Sequence, residues 1–170
     1  MKKVIVIGCP GSGKSTLAHE LHKVCGLPLY HLDMVYHLLD RTTLPRDAFD
    51  AKLTDILSQD QFIIDGNYHR TLEMRMQACD TIILLDLPTE VCLAGAMSRI
   101  GKKRKDMPWV ETELDEEFRQ FICNFSSQQL PLIYELIDRF KADKEIVILH
   151  SHEEVDAYLA RLLQKKGQST

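Results

Sequence analysis

The octapeptide GCPGSGKS, from Gly8 to Ser15, matches the pattern G-x-x-x-x-G-K-[ST] at every fixed position. The chemistry of that pattern is anion capture. Its glycines let the backbone curl so that successive N–H groups point inward, with no Cβ in the way. Lys14 brings a mobile positive charge to the outer phosphates, and Ser15 offers a hydroxyl to Mg²⁺. A helix starting here would aim the positive end of its dipole at the same anion. Gly8, Cys9, Pro10, Gly11, Ser12, Gly13, Lys14, Ser15 and Thr16 are therefore the expected site for a nucleoside triphosphate with Mg²⁺.

The flanking residues supply the setting this loop needs. Lys3 to Ile7 is short, β-branched and apolar, the signature of a parallel strand covered on both faces. Lys14 to Lys23 reads as a helix, with Leu17, Leu21 and Val24 at helical spacing and Gly26-Leu27-Pro28 to end it. Further strands are expected at Leu29 to Leu32, Gln61 to Ile64, Thr81 to Leu85 and Glu145 to Leu149. Between them lie helical patterns at Leu72 to Cys79 and from Thr89 to about Ile100. Glu111 to Phe140 contains a long amphipathic stretch that Pro131 breaks or restarts. Ser151 to Glu154 fits a capping box at the head of a closing helix, and Gly167 to Thr170 reads as a frayed tail.

Strand–helix alternation through the whole chain predicts an α/β class protein. The architecture is a P-loop three-layer fold, a five-stranded parallel sheet flanked by helices. No linker, repeat or low-complexity segment divides it, so residues 1–170 are expected to form one domain. Two excursions leave that core: an irregular stretch from Met34 to Asp60 and a basic segment at about 99–112.

Composition narrows the class. The chain has 170 residues, 27% of them charged, with a formal net charge of −4. This balance suits a soluble cytoplasmic protein and lacks the basic excess of a general nucleic-acid binder. No apolar run reaches the eighteen or so residues of a membrane span. The apolar run after Lys2-Lys3 is too short for a secretory leader and feeds directly into the glycine loop. Five scattered cysteines without a C-x-x-C pair argue against a disulfide framework or a structural zinc site. Cys9 lies inside the glycine loop, where oxidation would block phosphate binding.

In parallel α/β sheets ligands bind at the carboxyl ends of strands. Asp33, Asp65 and Asp86 all stand at expected strand ends. Asp33 is the candidate for acceptor binding and for taking a hydroxyl proton. Asp65 with Gly66, Asn67, Tyr68 and Arg70 forms a polar rim for the same acceptor. Asp86 is a candidate to hold the metal through a water, alongside Ser15. Each of these acids could equally cap the helix that follows it. Arg99 and Gly101-Lys-Lys-Arg-Lys105 concentrate positive charge where a lid would stabilise a moving phosphoryl group. Arg99 and Arg104 are the leading pair, since guanidinium groups grip phosphate oxygens bidentately. The competing readings of this segment are a solvated loop and a nucleic-acid arm. Trp109, the single tryptophan, either packs the lid on the acceptor site or anchors a loop.

The chain resembles the P-loop kinases of the adenylate kinase superfamily. Within it, the chain is most similar to the adenylate-kinase-related DNA topology modulation proteins, the FlaR group. The resemblance is carried by Val4 to Thr16, His31-Leu-Asp33, Phe62 to Tyr68, Ile82 to Pro88, Arg99 and Ile146 to Ser151. It implies ATP on Gly8 to Thr16, with Mg²⁺, and an acceptor facing Asp33, Asp65 to Tyr68 and Arg70. It also implies an acceptor-binding region at about 34–60, a short basic lid at about 99–112 carrying Arg99 and Lys102 to Lys105, and adenine near Ser151 to Glu153. The implied activity is transfer of the γ-phosphoryl group to a nucleotide, a nucleoside or another small hydroxylated acceptor, by a monomer or homodimer. The alternative is a regulatory or DNA-associated protein with weak ATPase activity.

Overall fold

Five short strands build the sheet of the computed structural model, which describes residues 1–167. They are β1 (Lys3–Gly8), β2 (Leu29–His31), β3 (Phe62–Asp65), β4 (Thr81–Leu85) and β5 (Glu145–Leu149). All pairings are parallel, and the strand order is β2-β3-β1-β4-β5. Val4 to Ile7, Phe62 to Ile64 and Ile82 to Leu84 have no exposed surface, because helices cover both faces of the sheet. Chain neighbours lie on opposite sides of β1, an arrangement that opens a crevice at the carboxyl ends of the central strands. The fold class read from the sequence is the one observed.

Eight α-helices surround the sheet among the described residues: α1 (Lys14–Cys25), α2 (Leu32–Tyr36), α3 (Arg46–Leu57), α4 (Leu72–Ala78), α5 (Thr89–Ser98), α6 (Glu116–Asn124), α7 (Leu130–Phe140) and α8 (His152–Gly167). Helix α1 buries Leu17, Ala18 and Leu21 and stops at Gly26, whose φ of 73° places it in the left-handed region. Ser151 caps α8 as expected: its Oγ accepts from the Glu154 N–H at 3.2 Å. The Glu154 carboxylate reaches one residue further back than a standard box and accepts from His150 N–H at 2.7 Å.

Three segments differ from their sequence reading. Leu32 opens helix α2 instead of closing β2, because the ladder of β2 with β3 ends at the His31–Asp65 pair. The irregular stretch after it resolves into α2, a short turn closed by a His37–Thr43 bridge, and α3. Pro45 sits at the head of α3, where its fixed φ and missing N–H are harmless. Residues 116–140 run helically throughout, with a π-helical turn at Phe125–Gln129 just ahead of Pro131. The wide turn absorbs the hydrogen bond that the proline cannot donate. Gly167 is the last residue of α8, and the remainder of the expected frayed tail, 168–170, lies outside the described residues. Among the described residues no helix is long and apolar enough to cross a membrane.

Candidate active site

The glycine loop joins β1 to α1 and lies flat on α5. A Cβ at Gly11 would come within 1.9 Å of the Cys92 carbonyl oxygen, and one at Gly95 within 2.0 Å of the Gly11 carbonyl oxygen. The loop and α5 therefore touch backbone to backbone, and only glycine fits at both positions. Gly11 also has a φ of 82°, closed to most side chains. Asn67 Oδ1 accepts from the Gly8 N–H at 3.1 Å and ties the loop to the segment after β3. On the opposite flank His152 Nε2 donates to the Ser12 carbonyl at 3.2 Å. Cys9 within the loop and Cys92 on α5 are both buried, and the neighbouring Cys92 thiol, together with burial, pushes the Cys9 thiol up.

Two cavities meet at this loop. One, of about 480 Å³, runs from Gly11–Leu17 along α1 to His152, Val155, Asp156 and Leu159 of α8. The other, of about 510 Å³, lies between Asp33, His37, Gly66 to Tyr68 and the segment from Arg99 to Phe121. Lys14, Arg99, Arg104 and Asp106 line both. A cationic wall with one carboxylate thus stands between two chambers of similar size, at the carboxyl edge of the sheet.

Arg99 and Arg104 have different circumstances. Arg104 is spent on carboxylates: Nε and Nη2 donate to the two oxygens of Asp106 at 3.0 and 2.7 Å, and Nη1 donates to Glu111 at 2.6 Å. Burial opposes its charge, but the Asp106 hydrogen bonds prevail and its pKa rises. Arg99 has Nε buried without a hydrogen-bond partner. Burial, with Arg104 alongside, lowers its pKa. The free donor is therefore on Arg99, whereas Arg104 ties together Asp106 and Glu111 of its own segment.

Asp106 is the site residue that the sequence reading missed. It is 7% exposed and accepts from Arg104, with the Ser15 hydroxyl near enough to favour its charged form. Burial works to raise its pKa, but these hydrogen bonds win and hold it below the usual carboxylate range. The signal available was the Arg104-x-Asp106 spacing inside the basic segment. Lys105 Nζ reaches His19 Nε2 at 3.4 Å, and the Trp109 ring meets His37 edge-on at 5.0 Å between centroids. Trp109 therefore packs the basic segment against the turn that follows α2.

The segment after β3 is locked from below. Arg75, fully buried, donates to the carbonyls of Gly66 at 2.8 Å, Tyr68 at 3.2 Å and, through a short contact, Asn67. That grip holds Tyr68 at a φ of 31° and presents its hydroxyl to Asp33 Oδ1 at 2.7 Å. Burial, then the Asp33 charge, pushes the Tyr68 phenol up, so it stays a donor. Asp33, Gly66, Asn67 and Tyr68 all line the larger cavity.

Three other expected site residues are placed elsewhere. Asp65 is 4% exposed and accepts from His31 Nδ1 at 2.8 Å beneath the rim, because the parallel register sets the two side by side. Arg70 forms a bidentate pair with Asp50 of α3, at 3.0 and 2.5 Å, and borders a separate cavity with Tyr36, Phe49 and Tyr68. Asp86 accepts from the Tyr134 hydroxyl at 2.7 Å and lines neither of the two joined cavities. Pro88 turns the chain into α5 immediately after it, and α7 covers its carboxylate.

The architecture is that of P-loop kinases. The fold is similar to shikimate kinase from Aquifex aeolicus, with a TM-score of 0.51 and 21% identity over 96% of this chain and 97% of that one. It is also similar to a gluconokinase from Sinorhizobium meliloti 1021, with a TM-score of 0.54 and 15% identity over 99% and 97% of the two chains. No protein-family model matches the sequence. No curated protein matches it either.

The residues present suit a magnesium ion bound together with phosphate. Mg²⁺ takes hard oxygen ligands and keeps several waters, so it needs only one or two groups from the protein. The Ser15 hydroxyl and the Asp106 carboxylate are two such oxygens, and both line the chamber along α1. Among the described residues no group of three or more His, Cys, Asp or Glu forms a protein-only metal cage.

Proposed function

We propose that this protein is an ATP-dependent phosphotransferase that moves a γ-phosphoryl group to the hydroxyl of a small molecule. The observation that carries this reading is the shared wall: Lys14 and Arg99 border a donor chamber and an acceptor chamber at once. A nucleotide switch or a simple ATPase has no use for the second chamber.

In this reading the N–H groups of Gly8 to Thr16 and the Lys14 ammonium hold the donor phosphates. The chamber between α1 and α8 takes the nucleoside. Ser15 and Asp106 would hold Mg²⁺, which neutralises charge on the phosphate oxygens. Asp33 orients the acceptor hydroxyl through Oδ2, its Oδ1 being engaged by Tyr68. Asp33 then receives the hydroxyl proton as the acceptor oxygen bonds to the γ-phosphorus. The bond to the β–γ bridging oxygen breaks, and its electron pair leaves with the nucleoside diphosphate. Arg99 supplies a free guanidinium N–H to the charge on the phosphoryl oxygens.

The resemblance to DNA topology modulation proteins adds no acceptor to this account. With Arg104 held by two carboxylates, the cluster offers only exposed lysines to a polyanion. The test is ADP release from purified protein with ATP and Mg²⁺, across nucleosides, monophosphates and small polyols. An acceptor-dependent rate that vanishes in Lys14→Ala supports the proposal, and a rate that no acceptor raises above background defeats it.

A further inference from the structure

Resting on that phosphotransferase reading, we infer that the acceptor is an uncharged polyhydroxylated molecule with a ring face, such as a nucleoside or a sugar, and not a phosphorylated or carboxylated one.

Recognition of an anion in a partly buried site calls for a guanidinium with free N–H groups, positioned for bidentate contact. The arginines near the acceptor chamber are committed to other work. Arg70 is paired bidentately with Asp50. Arg75 lines neither chamber, and both of its terminal nitrogens grip backbone carbonyls under the rim. Arg104 is shared between Asp106 and Glu111. Arg99 has a free donor, but it borders the donor chamber as well and belongs to the transferring phosphate. The remaining arginine of the chamber is Arg41, exposed on the turn between α2 and α3. A single exposed charge of that kind contributes little binding.

The rest of the chamber favours hydroxyl groups. Asp33 and Glu113 line it, and carboxylates are pure acceptors that repel an anionic substrate but bind O–H donors. Trp109, Tyr68, Phe118 and Phe121 supply flat apolar surface in the same chamber. Carboxylate acceptors beside aromatic faces suit a molecule with a hydroxylated edge and an apolar ring face. A volume of about 510 Å³ takes a molecule of nucleoside or sugar size.

Matched pairs test the assignment with full-length protein, ATP and Mg²⁺: each of several nucleosides against its 5′-monophosphate, and each of several sugars against its sugar acid and its amino sugar. Trp109, the single tryptophan, reports binding by fluorescence without turnover. The expected result is a kcat/KM at least tenfold higher for the uncharged member of a pair, with fluorescence quenching in the same order. The nucleoside and sugar arms separate the two sources of that chemistry. Arg41→Ala is expected to leave turnover of the uncharged acceptor within threefold of wild type. Preference for the phosphorylated, carboxylated or aminated member overturns the acceptor assignment alone, as does a loss above tenfold in Arg41→Ala. If no member of any pair raises ADP release, the phosphotransferase reading fails and the acceptor assignment falls with it.

Discussion

Asp33 has one carboxylate oxygen engaged by Tyr68 and the other directed to the acceptor in our reading. Asp33→Asn keeps the shape and removes the proton acceptor. We expect kcat to fall by about 10²–10⁴-fold while the KM for ATP stays near wild type, measured by coupled ADP release. Arg75 poses a different test. Arg75→Met leaves three carbonyls without their donor, and a loss of about 3 kcal/mol is expected in urea unfolding. Asp106 carries a pH signature. Its pKa is depressed from 3.8 in the folded protein, so its contribution is present above that value and is lost as pH falls through the lower, folded one. Asp106→Asn should therefore cost about 1.5–3 kcal/mol near neutrality, with the gap to wild type closing in acid below pH 3.8. At this scale the position of the glycine loop and the place of Asp33 beside the crevice were readable, because both are local to a motif or a strand end. Asp106 was not, because its meaning depends on Ser15, a residue far away in the chain that only the folded lid brings near. Arg70 misled for the same reason: its partner Asp50 lies across the fold on α3.

At the scale of elements, the docking of the glycine loop on α5 sets what the loop tolerates. Gly11→Ala puts a methyl group where a carbonyl oxygen already sits, 1.9 Å away. The loop must lift, and a displacement near 1 Å at a phosphate site costs on the order of 10²-fold in activity. Nucleotide affinity, read by titration calorimetry with ADP and Mg²⁺, is expected to fall with it. Gly95→Ala, on the far side of the same contact, should give the same defect without touching the motif. The strands and most helices were legible because short β-branched runs and 3.6-residue periodicity report burial directly. The conformations of residues 34–60 and of the basic segment were not, since they come from tertiary pairs such as Trp109 with His37 and Arg104 with Glu111. Residues 116–140 fell between these cases: the helical pattern was plain, but a π-helical turn leaves no periodicity of its own.

For the whole molecule, ligand binding and stability are linked. A ligand present at about 100 times its dissociation constant stabilises the native state by about 2.7 kcal/mol. ADP with Mg²⁺ should raise the thermal midpoint of the wild type, and the gain should disappear in Lys14→Ala; an unchanged midpoint in the wild type would count against the donor site. The parallel sheet with helices on both faces was foreseeable from strand–helix alternation, whereas the strand order β2-β3-β1-β4-β5 was not. The acceptor was not, because in our reading it is selected by which arginines are left unpaired after folding.

The contact between the glycine loop and α5 also predicts how the family of viable sequences is shaped. It is made by main-chain atoms of residues 11, 92 and 95, so the side chain at position 92 is not what meets the loop there. A library randomised at these three sites should return glycine at 11 and 95 and a mixture of small residues at 92. Because α5 ends one residue before Arg99, the same helix carries the lid's first arginine. Donor loop and lid thus inherit their spacing from one rigid rod, and deleting or inserting a single residue within α5 would throw the two out of phase by a rotation of about 100°.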